Sequence, residues 1–129
     1  MSGNLFQEIY QITMTHLSRK KCILPDESGE ALEGNDITHY MAQLDNSWRV
    51  LGDKYLSRVF NFPEHEKAVS FVQNVSEKAM EEGHVPDTFL SYGEVKIVLQ
   101  TPEVYGLHEN DFIVAAKIDK TYRESFKGK

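Results

Sequence analysis

Between Pro63 and Gly83 the apolar residues Ala68, Phe71, Val72, Val75 and Ala79 recur at the spacing of one helical face, with Glu, Lys and Gln opposite. A helix this one-sided must bury its stripe against another element, which limits the chain to layered architectures. Pro63 opens the segment at a position where its missing N–H costs nothing, and Gly83 ends it. The period then changes. Thr88 to Ser91 reads as a short strand and Tyr92-Gly93 as a turn. Glu94 to Gln100 alternates, with Val95, Ile97 and Leu99 facing one way and Glu94, Lys96 and Gln100 largely the other. An antiparallel sheet with one covered face is the surface such a helix requires.

The rest of the chain fits around this pair. Ile37, Tyr40, Met41 and Leu44 fall at i, i+3, i+4 and i+7, giving a helix that ends near Asp45, with Asn35 or Asp36 as its cap. Asp45-Asn46-Ser47 is turn chemistry. Trp48 to Leu51 and Tyr55 to Phe62 are rich in aromatic and β-branched residues around Gly52-Asp53, which predicts a hairpin. Residues 4–17 fit a short helix through Leu5, Phe6, Ile9, Tyr10 and Leu17, but Tyr10 to Met14 also alternates like a strand. Residues 18–34 are polar, broken by Pro25, Gly29 and Gly34, and read as an extended loop. After a loop holding Pro102 and Gly106, a last helix from about His108 to Phe126 buries Phe112, Ala115, Ala116, Ile118 and Tyr122. Lys127-Gly128-Lys129 reads as a frayed tail. The expected fold is α+β in two layers, a four-stranded antiparallel sheet with helices packed on one face.

Composition narrows the function. A length of 129 residues suits one domain, and a formal charge of −6 with no basic run beyond Arg19-Lys20-Lys21 argues against a nucleic-acid surface. The single cysteine, Cys22, forms no internal disulfide and no multi-thiolate metal site. His16, His39, His65, His84 and His108 show neither HxH nor HExxH spacing, so a metal site has no support. No apolar run approaches the roughly 20 residues needed to span a bilayer, and a cytoplasmic location is the expectation. A two-layer fold this small often self-associates through a sheet edge or helix face.

One connector stands out. In Gly83-His84-Val85-Pro86-Asp87 the glycine stops a helix and the proline forbids its resumption, so His84 is held on a short loop between rigid elements. An imidazole there is either a solvated loop residue or a proton-exchanging group. Glu81 and Glu82, in the last helical turn, are expected to be solvated, and Trp48 to be a core or pocket wall. Nothing near Cys22 suggests a lowered pKa.

Glu82-Gly83-His84-Val85-Pro86-Asp87, Leu90-Ser91-Tyr92-Gly93-Glu94-Val95, Gly106-Leu107-His108-Glu109-Asn110-Asp111-Phe112-Ile113 and Ala115-Ala116-Lys117-Ile118-Asp119 resemble the pterin-4a-carbinolamine dehydratase family without a gap. Ala42-Gln43-Leu44 followed by Trp48 adds to the likeness, which spans roughly Lys21 to Tyr122. The resemblance implies a single domain over residues 21–129 preceded by an extension over residues 1–20; residues 1–13 are either a true extension or the product of a misassigned start codon, and are expected to be poorly ordered or packed across a subunit contact. It also implies dehydration of a 4a-hydroxytetrahydropterin in tetrahydropterin recycling, with no metal or organic cofactor, in a homodimer or homotetramer.

The family uses three histidines supported by an acid near the start of the last helix. Here the resemblance carries over His84 as the first histidine and Asp111 as the acid. Val85 replaces the second histidine, Pro102 the third, and Met80 an acidic residue four positions before His84. Neither valine nor proline can move a proton. The catalytic candidates are therefore His84 and Asp111, and the substrate-binding candidates His84, Val85, Pro86, Tyr92, Pro102 and His108. Tyr92 is either a pocket wall or a packing aromatic. His108 either substitutes for a missing imidazole or sits at the helix start against Asp111, the simpler expectation. Two function classes follow: a dehydratase of weakened activity, or a non-catalytic binding or assembly protein. Relatives offer precedents for the second, one as dimerisation cofactor of a homeodomain transcription factor and one as a RuBisCO assembly factor.

Overall fold

A computed structural model describes residues 17–24 and 30–127. The expectations for residues 1–13, for the helix or strand over residues 4–16, for Pro25 and Gly29, and for the last two residues of the tail lie outside the described residues. Helix α1 (Gly34–Met41) precedes a hairpin of β1 (Arg49–Leu51) and β2 (Tyr55–Asn61). Helix α2 (His65–Glu82) leads to a second hairpin, β3 (Asp87–Ser91) and β4 (Glu94–Leu99), and helix α3 (Glu109–Lys127) closes the chain. The four strands form one antiparallel sheet in the order β1-β2-β4-β3. This is the α+β architecture expected from the two periods.

Sheet and helices meet through the alternating residues. Leu56 and Phe60 of β2 and Val95, Ile97 and Leu99 of β4 are buried, and so are Ala68, Phe71, Val75 and Ala79 of α2. The opposite sheet face leaves Leu51, Tyr55, Val59 and Phe89 exposed. The β3–β4 turn needs its glycine: Gly93 has φ +70°, and a Cβ there would lie 2.9 Å from the Phe62 carbonyl oxygen. That carbonyl region is pinned by the Phe62 N–H donating to the Gly93 carbonyl at 2.8 Å.

Helix α3 is enclosed more fully than its sequence suggests. Every residue from Asn110 to Ala116 is buried, whereas the sequence reading buries only Phe112, Ala115 and Ala116 of this run. The reason is that α3 has neighbours all round: the sheet, α2, α1 through the stacked rings of Tyr40 and Phe112, and residues 17–24. Leu17, on the extension's side of the expected boundary, belongs to the core. Lys20 is held by Glu109 at 2.6 Å, and Lys117 donates to the Ser18 carbonyl.

Three local expectations need correction. Helix α1 starts at Gly34 after Glu33, which makes no side-chain cap bond, so neither Asn35 nor Asp36 caps it. Helix α2 begins at His65, two residues after Pro63. Glu82 is not solvated: its side chain is buried, accepting the Cys22 N–H at 2.7 Å and lying 3.7 Å from the Lys117 ammonium. A helix end that leaves side chains in solvent elsewhere is here roofed by residues 17–24.

Candidate active site

Three local structures converge at the end of the sheet where β4 finishes. The first is the close of α2. Gly83 adopts a left-handed conformation, its N–H donates to the Met80 carbonyl, and the His84 N–H donates to the Ala79 carbonyl. These two bonds make a Schellman motif, which fixes the backbone of His84 immediately beyond the helix. The second is the loop after β4, where Thr101 pairs with Gly106 across the short helical turn Pro102–Val104. The third is the first turn of α3.

That turn is a reciprocal cap. The ring Nδ1 of His108 accepts the Asn110 N–H at 3.0 Å, and the Asp111 carboxylate accepts the His108 N–H at 2.9 Å. Asp111 is fully buried, and a carboxylate in the first turn of a helix is favoured by the helix dipole. Its Oδ2 also accepts the Thr101 hydroxyl at 2.8 Å. Its Oδ1 lies 2.6 Å from Nε2 of His84, whose side chain is 11% exposed. Cap, loop and connector are thus tied to one carboxylate.

The structure brings His84 and Asp111 together and sets Pro102 beside Thr101 and Val85 beside His84. Pro86 is buried where the chain enters β3, while Val85 and Met80 are 63% and 65% exposed. His108 takes the helix-start role, with its Nδ1 committed to the cap. Tyr92 is not part of this cluster. It is 87% exposed and stacks on His65 at 4.9 Å, and His65 Nδ1 accepts the Gly93 N–H. Strand β3 separates it from His84 by roughly 17 Å of extended chain. Trp48 is a core residue, its indole N–H donating to the Asp119 carboxylate at 2.8 Å.

Behind the cluster lies a second set of contacts. The Asn110 side chain both accepts from and donates to the Ile23 backbone, and Glu82 holds Cys22 and Lys117. Burial, with Glu82 alongside, pushes the Cys22 thiol up to about 12, so it is inert at neutral pH. Burial alone would raise the Glu82 carboxyl, but the Cys22 N–H, Lys117 and Lys21 hold it below the usual range. Among the described residues, no group of three or more His, Cys, Asp or Glu side chains is arranged to hold a metal ion. Sequence reasoning missed Thr101, Asn110 and Glu82 as site-forming residues. Thr101 sits beside the proline that replaces a histidine, which was the available signal.

The chemistry open to this arrangement is proton exchange by one imidazole paired with a buried carboxylate. The family model for pterin 4 alpha carbinolamine dehydratase matches residues 30–121. The chain belongs to the pterin-4a-carbinolamine dehydratase family. A protein of Alkaliphilus metalliredigens that carries the family's name is 40% identical over 111 residues, covering 86% of this chain and all of that one. One from Rickettsia canadensis is 40% identical over 107 residues, covering 82% of this chain and 97% of its own. Among solved structures, the transcriptional coactivator/pterin dehydratase of Brucella melitensis superposes with a TM-score of 0.68 at 24% identity, over 72% of this chain and 99% of that one. A pterin dehydratase-like protein identified as a RuBisCO assembly factor in the alpha-carboxysome superposes at 0.52 with 23% identity, over 59% and 89% of the two chains. These two likenesses concern the fold. No helix among the described residues is long and apolar enough to cross a membrane.

Proposed function

We propose that the protein binds a tetrahydropterin-type small molecule beside His84 and dehydrates its 4a-hydroxy form, with weakened activity, as part of tetrahydropterin recycling in a homodimer or homotetramer. The observation that carries this reading is the 2.6 Å contact between His84 Nε2 and the fully buried Asp111 carboxylate in a chain of this family. In the reaction the imidazole removes the proton on the ring nitrogen next to C4a. The electron pair left behind forms the carbon–nitrogen double bond and expels the 4a-hydroxyl, which takes the proton from the imidazolium and leaves as water. The imidazole returns to its starting state, so one histidine can serve both steps. Asp111 orients the ring and stabilises its cationic form. Each acid–base group absent at Val85, Pro102 and Met80 is worth roughly 10²–10⁴-fold where it acts directly, which is the source of the weakened activity.

Stopped-flow dehydration of enzymatically generated 4a-hydroxytetrahydropterin tests this. The wild type accelerates water loss above the spontaneous rate and His84→Ala abolishes the acceleration. No acceleration by the wild type overturns the reading.

A second reading is favoured by the exposed apolar side chains at Met80 and Val85, where the family places an acid and a histidine. On it the scaffold is a non-catalytic binding or assembly protein, like the carboxysomal relative in role as well as fold. Wild-type protein that neither accelerates dehydration nor binds a reduced pterin, yet co-purifies with a defined partner that Met80→Glu/Val85→His releases, is its signature.

A further inference from the structure

We infer that Thr101 is a positioning residue that decides which nitrogen of His84 exchanges protons. The inference rests on His84 being the proton-exchanging group and adds how the fold sets it to work.

A carboxylate has two oxygens, and its terminal torsion is broad and nearly two-fold, so an unrestrained aspartate presents either oxygen in a range of orientations. Asp111 has no such freedom. Its Oδ2 receives two donors, the Thr101 hydroxyl at 2.8 Å and the His108 backbone N–H at 2.9 Å. That leaves Oδ1 facing His84 Nε2 across 2.6 Å. An ionised carboxylate can only accept, so a neutral ring that bonds to it carries its hydrogen on Nε2. Once Nε2 carries the hydrogen, Nδ1 of the neutral ring holds the lone pair. Nδ1 is therefore the nitrogen that takes a proton from a bound molecule and gives it back. A positioning group that fixes the tautomer matters more here than in a three-histidine site, because the positions of the second and third histidines hold Val85 and Pro102.

Both donors are themselves fixed. Thr101 is fully buried, and its backbone is bridged to Gly106 on both sides, N–H to carbonyl at 2.9 Å and 3.5 Å. The His108 N–H belongs to the helix cap. Of the two, only the Thr101 contact comes from a side chain and can be removed by substitution. Thr101→Val keeps the shape and the backbone bridge while deleting the donor, and Thr101→Ser restores it.

The test reads the tautomer directly, without substrate. Long-range ¹H–¹⁵N spectra of the ¹⁵N-labelled protein at a pH where His84 is neutral distinguish the protonated ring nitrogen from the bare one. Wild type and Thr101→Ser should show Nε2–H. In Thr101→Val the carboxylate is freed to turn Oδ1 away from Nε2, and the ratio favouring Nε2–H should fall by about tenfold. Stopped-flow dehydration on the same three proteins should show a lowered kcat for Thr101→Val at an unchanged KM, with Thr101→Ser near wild type. Nδ1–H as the dominant wild-type form overturns the inference, and needs no variant that must fold. So does a Thr101→Val protein with the wild-type tautomer ratio. A protein with no dehydratase activity that nevertheless shows the Thr101-dependent tautomer leaves this inference standing while the proposed function falls.

Discussion

Arg58 offers the sharpest quantitative test of the core. Its guanidinium lies 2.7 Å from the Asp119 carboxylate and 3.6 Å from that of Asp45, over the rings of Phe60 and Tyr122. Asp119 also accepts the Trp48 indole N–H. Arg58→Met keeps volume and removes the cation, leaving a buried carboxylate with only neutral donors. Stranding one member of a buried pair costs about 3–5 kcal/mol. At the size of this domain, such a loss lowers Tm by roughly 10–20 °C. The Arg58→Met/Asp119→Asn double variant removes both charges and keeps an acceptor for Trp48. It should recover most of that loss, the more so because Arg58 Nε is buried with no hydrogen-bond partner among the described residues.

The pH dependence has a definite sign. Burial raises the Asp119 carboxyl from 3.8 to about 6 against the pull of Arg58. A folded-state pKa above the unfolded one means that the native state holds the proton more tightly. The contribution is therefore full below pH 3.8 and is lost as pH rises through about 6. Two units at 1.36 kcal/mol each amount to about 3 kcal/mol. Urea denaturation followed by the fluorescence of Trp48, the chain's one tryptophan and a member of the cluster, reads both effects. The stability difference between wild type and Asp119→Asn should shift by that amount between pH 4 and pH 7, in favour of the variant as pH rises. An Arg58→Met cost below about 1 kcal/mol, or a wild-type-minus-variant difference that is flat in pH, refutes the reasoning.

Gly93→Ala should cost more than Gly83→Ala, by about 1 kcal/mol or more in thermal unfolding. Both positions have positive φ, but only at Gly93 does the new Cβ meet backbone, and equal costs would remove that contact from the account. His108→Ala should lose about 1 kcal/mol of stability through the cap and leave dehydration turnover unchanged. A fall in turnover at the same pH would instead make the ring a substitute imidazole. His84→Ala should cost roughly 1 kcal/mol, whereas Asp111→Ala orphans the Thr101 hydroxyl and the His108 N–H and should cost about 3 kcal/mol or more. Equilibrium unfolding of the two variants checks the ranking, and a reversed order would refute it.

The elements were legible because each carries its own period. The stripe Ala68, Phe71, Val75 and Ala79 and the alternation Val95, Ile97 and Leu99 are local facts, and the layer they build follows from burial alone. What was not legible depends on contacts between distant stretches. Glu82 looks like a surface carboxylate until Cys22, 60 residues away, lies over it. Asn110 looks like a helix-start residue until its amide closes on Ile23. Tyr92 was open between pocket wall and packing aromatic, and sheet geometry carries it a full strand away from His84, onto His65. The candidate site was half visible: His84 and Asp111 could be named, whereas Thr101 had only its place beside Pro102 to mark it, and its bond to Asp111 depends on how the loop after β4 folds back on α3.

The shell around Asp111 holds its shape through contacts that the fold itself requires. Asp111 caps α3, Thr101 closes the loop after β4, and the His84 backbone completes the Schellman end of α2. Each of these bonds stabilises a chain terminus or turn whether or not a pterin is ever bound, so the fold itself maintains the carboxylate's geometry. The positions corresponding to Met80, Val85 and Pro102 carry no such duty: all three are exposed and can change without disturbing the core. His84 stands between these two groups. Among the described residues its side chain makes one bond, to Oδ1 of a fully buried carboxylate whose other two donors both go to Oδ2, so removing the ring leaves that oxygen without a donor. The 2.6 Å contact therefore serves the fold as well as the proposed chemistry, and the stability cost of His84→Ala measures the first of the two.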